Sequence, residues 1–218
     1  AQKFAVTYCP LCGTGMVFAT NVMVDDEPTA LSFGVSGLLY QSDVLLYDRQ
    51  TESLWSQVMG EAVVGPLKGT SLPQMPVFHT SWQDWRTKHP TTQVLSPETG
   101  FGRNYTSSPY DGYDQSRRLY FKVSNKAPSD YHPKERVLGV EVDGVYKAYP
   151  FAELFAAANN QFVDTINGRD LTISWDDAAE TAYVRDENGK DFTSLIAFWF
   201  AWYTFHPETE VFTANQTG

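Results

Sequence analysis

The sequence predicts an α+β fold of antiparallel hairpins with short helices, and three patterns indicate it. Strand-like runs alternate apolar and polar residues, as at 137–149. Turn pairs that favour positive φ, such as Asp143-Gly144, separate these runs. A tryptophan-rich segment recurs at 82–94 and 199–211. Together the patterns predict a duplicated unit in which hairpins are accompanied by a short helix.

The recurring segment is the strongest indication of a duplication. Each copy has two tryptophans at helical spacing, then His-Pro, a threonine and a valine at the same distances. The residue before proline disfavours helical backbone, so each helix is predicted to end at its His-Pro pair. Thr80 or Ser81 is the predicted N-cap of the first helix, and Ser194 is that of the second. Rare residues at fixed spacing predict an internal repeat.

The residues upstream of each copy extend this repeat. Residues 4–9 align with residues 171–176, so the thiols of Cys9 and Cys12 have no counterpart in the second copy, where the aligned residues are Asp176 and Ala179. One copy is therefore expected to carry chemistry while the other is scaffold.

The second unit contains elements that the first lacks. A hairpin at 137–150 is followed by a predicted helix from Phe151 to Ala158, and Asn167-Gly168 and Asn188-Gly189 predict two more hairpin turns. We predict three segments: a first unit at 1–103 that is truncated at its N-terminus, a connecting loop region at 104–136, and a degenerate second unit at 137–218.

Composition excludes several classes of function. The 218 residues carry a net charge of −10, and no basic run exceeds Arg117-Arg118, whereas a nucleic-acid-binding protein needs a basic stripe. No apolar stretch reaches the roughly 20 residues that span a bilayer. The sequence has no phosphate loop, no His-Glu-x-x-His motif and no nucleophile elbow. It therefore indicates no nucleotide cofactor, and it leaves open whether the chain is an enzyme.

The two cysteines, Cys9 and Cys12, form the one clear chemical motif, Cys-Pro-Leu-Cys-Gly. Two thiols at this spacing can bind a soft metal, exchange disulfides or form a structural disulfide. A structural zinc site has four ligands, and the sequence has no second cysteine pair. His89 or His206 is a candidate third ligand, although their recurrence in both units favours a structural role. Copper(I) accepts two thiolates and suits the ligand count better than zinc.

A second polar stretch is a candidate ligand pocket, because it combines hydroxyl, acid, guanidinium and amide groups with an indole. The alternative interpretation is a turn between strands that contains an Asp-Arg pair. The candidate residues are Ser36, Tyr40, Asp48, Arg49, Trp55 and Gln57.

The motifs VTYCPLCG, FGVSGLLY, YDR and SLWSQ, spread over residues 6–57, resemble one bacterial and archaeal family known only as a domain of unknown function. That resemblance covers essentially the whole chain. It implies a secreted or membrane-anchored protein with additional sequence at the N-terminus, and no established activity.

The leading hypothesis is an extracytoplasmic protein whose Cys9 and Cys12 bind copper or zinc. A thiol–disulfide oxidoreductase is the first alternative. The second is a module that binds carbohydrate or peptide through surface aromatics, with a purely structural cysteine pair. The sequence identifies no partner.

Overall fold

The computed structural model describes residues 3–217, within which short strands predominate. The first part of the chain forms nine strands and one helix: β1 (Phe4–Cys9), β2 (Thr14–Ala19), β3 (Asn21–Val24), β4 (Glu27–Ala30), β5 (Phe33–Tyr40), β6 (Asp43–Asp48), β7 (Leu54–Ser56), β8 (Glu61–Val64), β9 (Gln74–Met75) and α1 (Trp82–Lys88). The remainder forms eight strands, two α-helices and a final 3₁₀ turn: β10 (Arg136–Val142), β11 (Val145–Pro150), α2 (Phe151–Ala156), β12 (Gln161–Ile166), β13 (Arg169–Asp176), β14 (Thr181–Asp186), β15 (Asp191–Phe192), β16 (Ser194–Phe198), α3 (Trp199–Phe205), β17 (Glu210–Val211) and the 3₁₀ turn Ala214–Thr217.

These strands pair mostly as antiparallel neighbours, which confirms the predicted α+β class of hairpins with short helices. The sheets of the described chain have the strand orders β1-β2-β9, β3-β4, β5-β6-β7-β8, β16-β10-β11-β17 and β12-β13-β14-β15. The pairing of β11 with β17 is parallel. None of the helices in residues 3–217 has the length and apolar character needed to cross a bilayer.

The predicted turn pairs lie at hairpin ends. Asp143 and Gly144 have φ of 48° and 83° and join β10 to β11 as a two-residue turn. Asn167-Gly168 joins β12 to β13 in the same way. Asn188-Gly189 lies in the longer connection between β14 and β15, where Gly189 has a φ of 74°. Residues that tolerate positive φ thus close all three hairpins.

The two tryptophan-rich segments share one local geometry. Both helices end at the predicted histidine, whose backbone N–H bonds to the carbonyl of the second tryptophan. That tryptophan also donates its indole N–H to the threonine seven residues later, at 3.0 Å from Trp85 and 2.9 Å from Trp202. The capping histidines have nearly equal backbone angles.

The two aligned hairpins also match. Cys9 pairs with Thr14 across β1 and β2, and Asp176 pairs with Thr181 across β13 and β14. Each connection has four residues, and the last residue of each has positive φ: 63° at Gly13 and 51° at Glu180.

Two local predictions differ from the structure. Ser81 caps α1 as expected, but Ser194 is not an N-cap: it begins β16, because the antiparallel neighbour β10 provides hydrogen-bond partners for residues 194–198. Phe198 precedes α3 instead. The helix predicted from Phe151 to Ala158 ends at Ala156, because Ala157 has extended backbone.

The core consists of two apolar clusters. The first contains both cysteines and combines residues between Cys9 and Leu72 with Tyr113 and residues between Val137 and Trp202. The second is formed by residues between Leu138 and Phe212. Residues 90–135, all of which the structure describes, form no helix or strand. The segment boundaries at 103 and 136 remain predictions.

Candidate metal centre

The hairpin between β1 and β2 fixes the two cysteines. Cys9 ends β1, and Cys12 is the third residue of the four-residue turn. The carbonyl of Cys12 accepts a 2.7 Å hydrogen bond from the backbone N–H of Phe198. A Cβ at Gly13 would lie 2.9 Å from the Phe198 ring, so only glycine allows the turn to pack this closely against β16.

Asp43 joins the two thiols in the centre of the first cluster. Ligand atoms of Cys9, Cys12 and Asp43 all lie within 4.8 Å of one another. The relative exposures are 1%, 0% and 0%, and both cysteines are free thiols. Three groups that can ligate a metal therefore converge in a buried position where few polar groups are normally tolerated.

The two oxygens of the Asp43 carboxyl have different surroundings. Oδ2 accepts hydrogen bonds from the Ser56 hydroxyl at 2.7 Å and the Val58 backbone N–H at 3.0 Å. Oδ1 lies 3.8 Å from Cys12 Sγ. Ser56 and Val58 thus hold Oδ2, while Oδ1 faces Cys12.

The three groups influence one another's protonation. A hydrogen bond from the Cys12 thiol lowers the pKa of Cys9, against the opposing effect of burial. The same hydrogen bond, together with burial, raises the pKa of Cys12 well above its ordinary value. Burial raises the pKa of Asp43 to about 6. The Cys12 thiol therefore keeps its proton, with Cys9 Sγ, the Ser42 carbonyl at 3.5 Å and Asp43 Oδ1 as neighbouring acceptors, and a bound metal ion would replace that proton.

A loop from the connecting region covers this side of the core. Tyr113 is 4% exposed and packs in the same cluster as the thiols, with its ring 6.4 Å from that of Phe198. The Lys134 ammonium lies 3.9 Å from the centroid of the Tyr113 ring and donates to the carbonyls of Ser116 and Arg118. Lys134 thereby fastens the loop that contains Tyr113.

Comparison with known protein families identifies one family for this chain. The family described as "Protein of unknown function (DUF3179)" matches residues 1–209. The chain belongs to this family. Searches of the curated proteins and of the solved structures found no match.

In this DUF3179 chain neither candidate histidine is part of the cysteine cluster. His89 is exposed at the end of α1, with its ring 4.1 Å from that of Trp85. His206 stacks on Tyr146 at 4.1 Å, and burial lowers its pKa to about 4. The group that the structure brings to Cys9 and Cys12 is the Asp43 carboxyl.

Three of the pocket candidates lie around the turn between β6 and β7. Asp48 is fully buried and accepts hydrogen bonds from the Trp55 indole at 2.9 Å and from the backbone and hydroxyl of Thr51. Arg49 is exposed and donates to the Tyr47 hydroxyl. The Asp48 carboxyl is occupied in closing this turn.

The other candidates are dispersed. The Ser36 hydroxyl donates to the carbonyl of Leu45, and the Tyr40 ring lies 6.2 Å from that of Phe205. Gln57 is fully buried and donates its side-chain amide to the carbonyl of Thr14 at 3.2 Å and to the Thr7 hydroxyl. Gln57 therefore braces the cysteine hairpin, while Ser36 and Tyr40 lie elsewhere on β5.

A cleft of about 860 Å³ lies on the outer side of the cysteine turn in this family member. Pro10 and Gly13 line it, together with Tyr113, Trp82 and Trp85, but neither cysteine does. Trp82 and Trp85 are exposed in this cleft, whereas both thiols are buried and do not line it.

Sequence reasoning missed Asp43. It follows Gln41-Ser42, which separates two apolar runs, so the sequence offers a signal for a hairpin turn. No local signal indicates that this turn returns to Cys12, because 31 residues separate the two side chains.

Proposed function

We propose that this chain binds a soft metal ion, copper or zinc, through the Cys9 and Cys12 thiolates and the Asp43 carboxylate. The observation that carries the proposal is the convergence of these three ligand atoms, all within 4.8 Å, in a fully buried position. Thiolate sulfur suits both ions, and carboxylate oxygen is an accepted zinc ligand. Asp43 is thus proposed as the third ligand, in place of His89 or His206, which the sequence suggests for that role.

The hydrogen bonds around the cysteine cluster favour a metal site over an arrangement that serves only to pack the core. Ser56 and Val58 donate hydrogen bonds to the carboxylate and fix its orientation, as donors to metal-ligating side chains do in metal sites. Gln57 fixes the hairpin that carries the thiols. Each ligand is thus held in place before a metal arrives.

The test is metal content after anaerobic purification and loading with copper(I) or zinc. We expect one ion per chain in the wild type and none in Cys9→Ser/Cys12→Ser. The control is Asp176→Asn, a change in the matching turn of the other hairpin, which should keep the ion. Wild-type protein without stoichiometric metal would refute the proposal.

Thiol–disulfide exchange is the second candidate, and the unequal thiols favour it. The lowered pKa of Cys9 suits a nucleophile and the raised pKa of Cys12 a resolving group. The Cys9 thiolate would attack a partner disulfide and release one partner thiolate. Cys12 would then attack Cys9 Sγ, releasing the second partner thiol and leaving a Cys9–Cys12 disulfide. Free thiols counted in graded redox buffers test this, and a pair that oxidises only on unfolding would exclude it.

We also propose that the chain acts outside the cytoplasm. The resemblance of its sequence motifs to a family with secreted or membrane-anchored members supports this. Fractionation of cells that express the complete gene with a C-terminal tag is the test, and recovery of all the tagged protein from the cytoplasm would contradict the proposal.

We further propose that the chain arose by duplication of a hairpin-and-helix unit. The matching turns after Cys9 and Asp176 support it, as do the matching helix ends at His89 and His206. On this proposal the first copy acquired the thiols, and segment 31–72, which contributes Asp43, has no counterpart in the second copy. Homologous sequences that lack recurring tryptophan and His-Pro positions in both copies would count against it.

A further inference from the structure

The cysteine cluster concentrates negative charge where no neighbouring cation compensates it. With both thiols and the carboxyl ionised, three anions lie within 4.8 Å of one another. Among residues 3–217 none of the ion pairs involves Asp43. The Lys134 ammonium is engaged with backbone carbonyls and the Tyr113 ring. Compensation must therefore come from the bound ion, since uncompensated buried charge is costly.

The oxygen of Asp43 cannot readily leave the site. If the carboxylate rotated away, the Ser56 hydroxyl and the Val58 N–H would lose their acceptor inside the core. A buried donor without an acceptor destabilises the folded state. Any ion held by the two thiolates thus meets Oδ1 as a fixed third ligand.

We infer that Asp43 biases this site toward a divalent ion of the zinc type and against copper(I). The inference rests on the proposed metal-binding function. A divalent ion leaves one net negative charge on the three-ligand cluster, whereas copper(I) leaves two. Zinc uses carboxylate oxygen as a ligand, while copper(I) is satisfied by two thiolates and gains little from a hard oxygen. Asp43 is therefore the specificity-determining ligand, and the cysteines supply affinity for either ion.

The test compares wild type with Asp43→Asn by measuring zinc and copper(I) affinity separately, each in competition with a chromophoric chelator under anaerobic conditions. We expect the substitution to weaken zinc binding by about 10- to 100-fold, the range seen even for partners behind the ligands. Copper(I) affinity should change by about twofold or less, since both thiolates remain. The matched control is Asp48→Asn, an equally buried and hydrogen-bonded aspartate of β6 outside the cluster, which should leave both affinities unchanged.

The outcomes separate this inference from the function on which it rests. If wild type binds neither ion, metal binding itself fails. If wild type binds both ions and Asp43→Asn weakens both equally, metal binding stands and the role of Asp43 in selectivity is wrong. If Asp43→Asn does not fold, Ser56→Ala provides the comparison: it removes one clamp from Oδ2 and should weaken zinc more than copper(I). Equal effects on the two ions in that variant would also overturn the inference.

Discussion

Gly13 shows how one residue positions the cysteine turn. It has a φ of 63°, and the space where a Cβ would lie is occupied by the Phe198 ring. The backbone conformation and the packing thus both require glycine. Comparison with Gly144 separates the cost of backbone strain from the cost of the contact with Phe198. Gly144 has a φ of 83° but no atom within 4 Å of the position of an added Cβ.

We expect Gly13→Ala to lower the free energy of unfolding by more than Gly144→Ala does. Strain at positive φ costs about 1–2 kcal/mol at either position. The contact with Phe198 adds about 1–3 kcal/mol at Gly13 alone, as overpacking does in other cores. Urea unfolding of the two variants measures the difference. Equal losses of unfolding free energy would show that β16 shifts to accommodate the added methyl group.

The burial of His206 predicts that the free energy of unfolding of the protein depends on pH. Burial against Tyr146 and Trp202 lowers its pKa to about 4. The unfolded chain, with a histidine pKa near 6.5, binds this proton more readily. The contribution of neutral His206 to the free energy of unfolding is therefore complete above about pH 6.5, and it declines as the pH falls to about 4. At about 1.4 kcal/mol per pKa unit, the difference of about 2.5 between the two pKa values makes the loss at most about 3.5 kcal/mol.

We expect His206→Gln to flatten this dependence between pH 6.5 and 4, because the titrating group is gone. Urea unfolding across that range is the measurement. His89→Gln is the control, since His89 is exposed at the equivalent helix end. A wild-type slope that persists in His206→Gln would assign the dependence to other groups.

At the scale of elements, α1 and α3 show that equal local geometry does not imply equal burial. Their second tryptophans make the same hydrogen bond to threonine, but Trp85 is 38% exposed and Trp202 is 2% exposed. Trp202 packs against Gly139 of β10, where a Cβ would lie 2.3 Å from its ring.

Trp202→Ala should therefore cost about 3–5 kcal/mol of unfolding free energy, as large truncations in cores do. Trp85→Ala should cost about 1 kcal/mol. Because the hydrogen bond is common to both, the difference reports burial alone. Denaturant unfolding gives both values, and similar values for the two variants would mean that the local helix end, rather than the sheet beneath it, holds the tryptophan.

The loop of residues 104–135 has no regular structure, so its attachment depends on single side chains. Lys134→Met removes the donors to the Ser116 and Arg118 carbonyls, and hydrogen bonds from a charged group contribute about 1.5–3 kcal/mol each. We expect the loop with Tyr113 to open more often and native-state alkylation of the cysteines to rise by about tenfold or more. Lys122→Met, an exposed lysine of the same loop, should leave the rate unchanged. An unaltered rate in Lys134→Met would show that the thiols are reached by another route.

The sequence predicts those parts of the fold that local chemistry determines. Asp143-Gly144 specifies a hairpin turn because both residues accept positive φ, and each His-Pro pair ends its helix because proline excludes helical backbone before it. The prediction that Ser194 is an N-cap is wrong because the strand that contains it depends on the distant partner β10. The sequence indicates the two thiols as candidate ligands but not Asp43, since only tertiary packing brings Asp43 to Cys12.

At the scale of the whole molecule, the cysteine cluster joins distant parts of the chain. The first core cluster includes residues from β1, β6 and β16, and the backbone of Phe198 bonds directly to Cys12. Strand β16 packs in both clusters, since Ala197 belongs to this cluster and Ile196 to the second. A ligand that binds only the folded cysteine hairpin should therefore stabilise both clusters together.

We expect zinc loading to raise the unfolding midpoint of the entire chain in one transition. An ion at 100 times its Kd adds about 2.7 kcal/mol, which corresponds to roughly 5–10 °C for a chain of this size. Hydrogen exchange followed at both β1 and β13 should show added protection in both strands, because β16, which bonds to Cys12 through Phe198, packs in both clusters. Cys9→Ser/Cys12→Ser should gain none. Protection confined to β1 and β2 would mean that the second cluster unfolds independently, and the contact between β16 and the cysteine turn would then not couple the two.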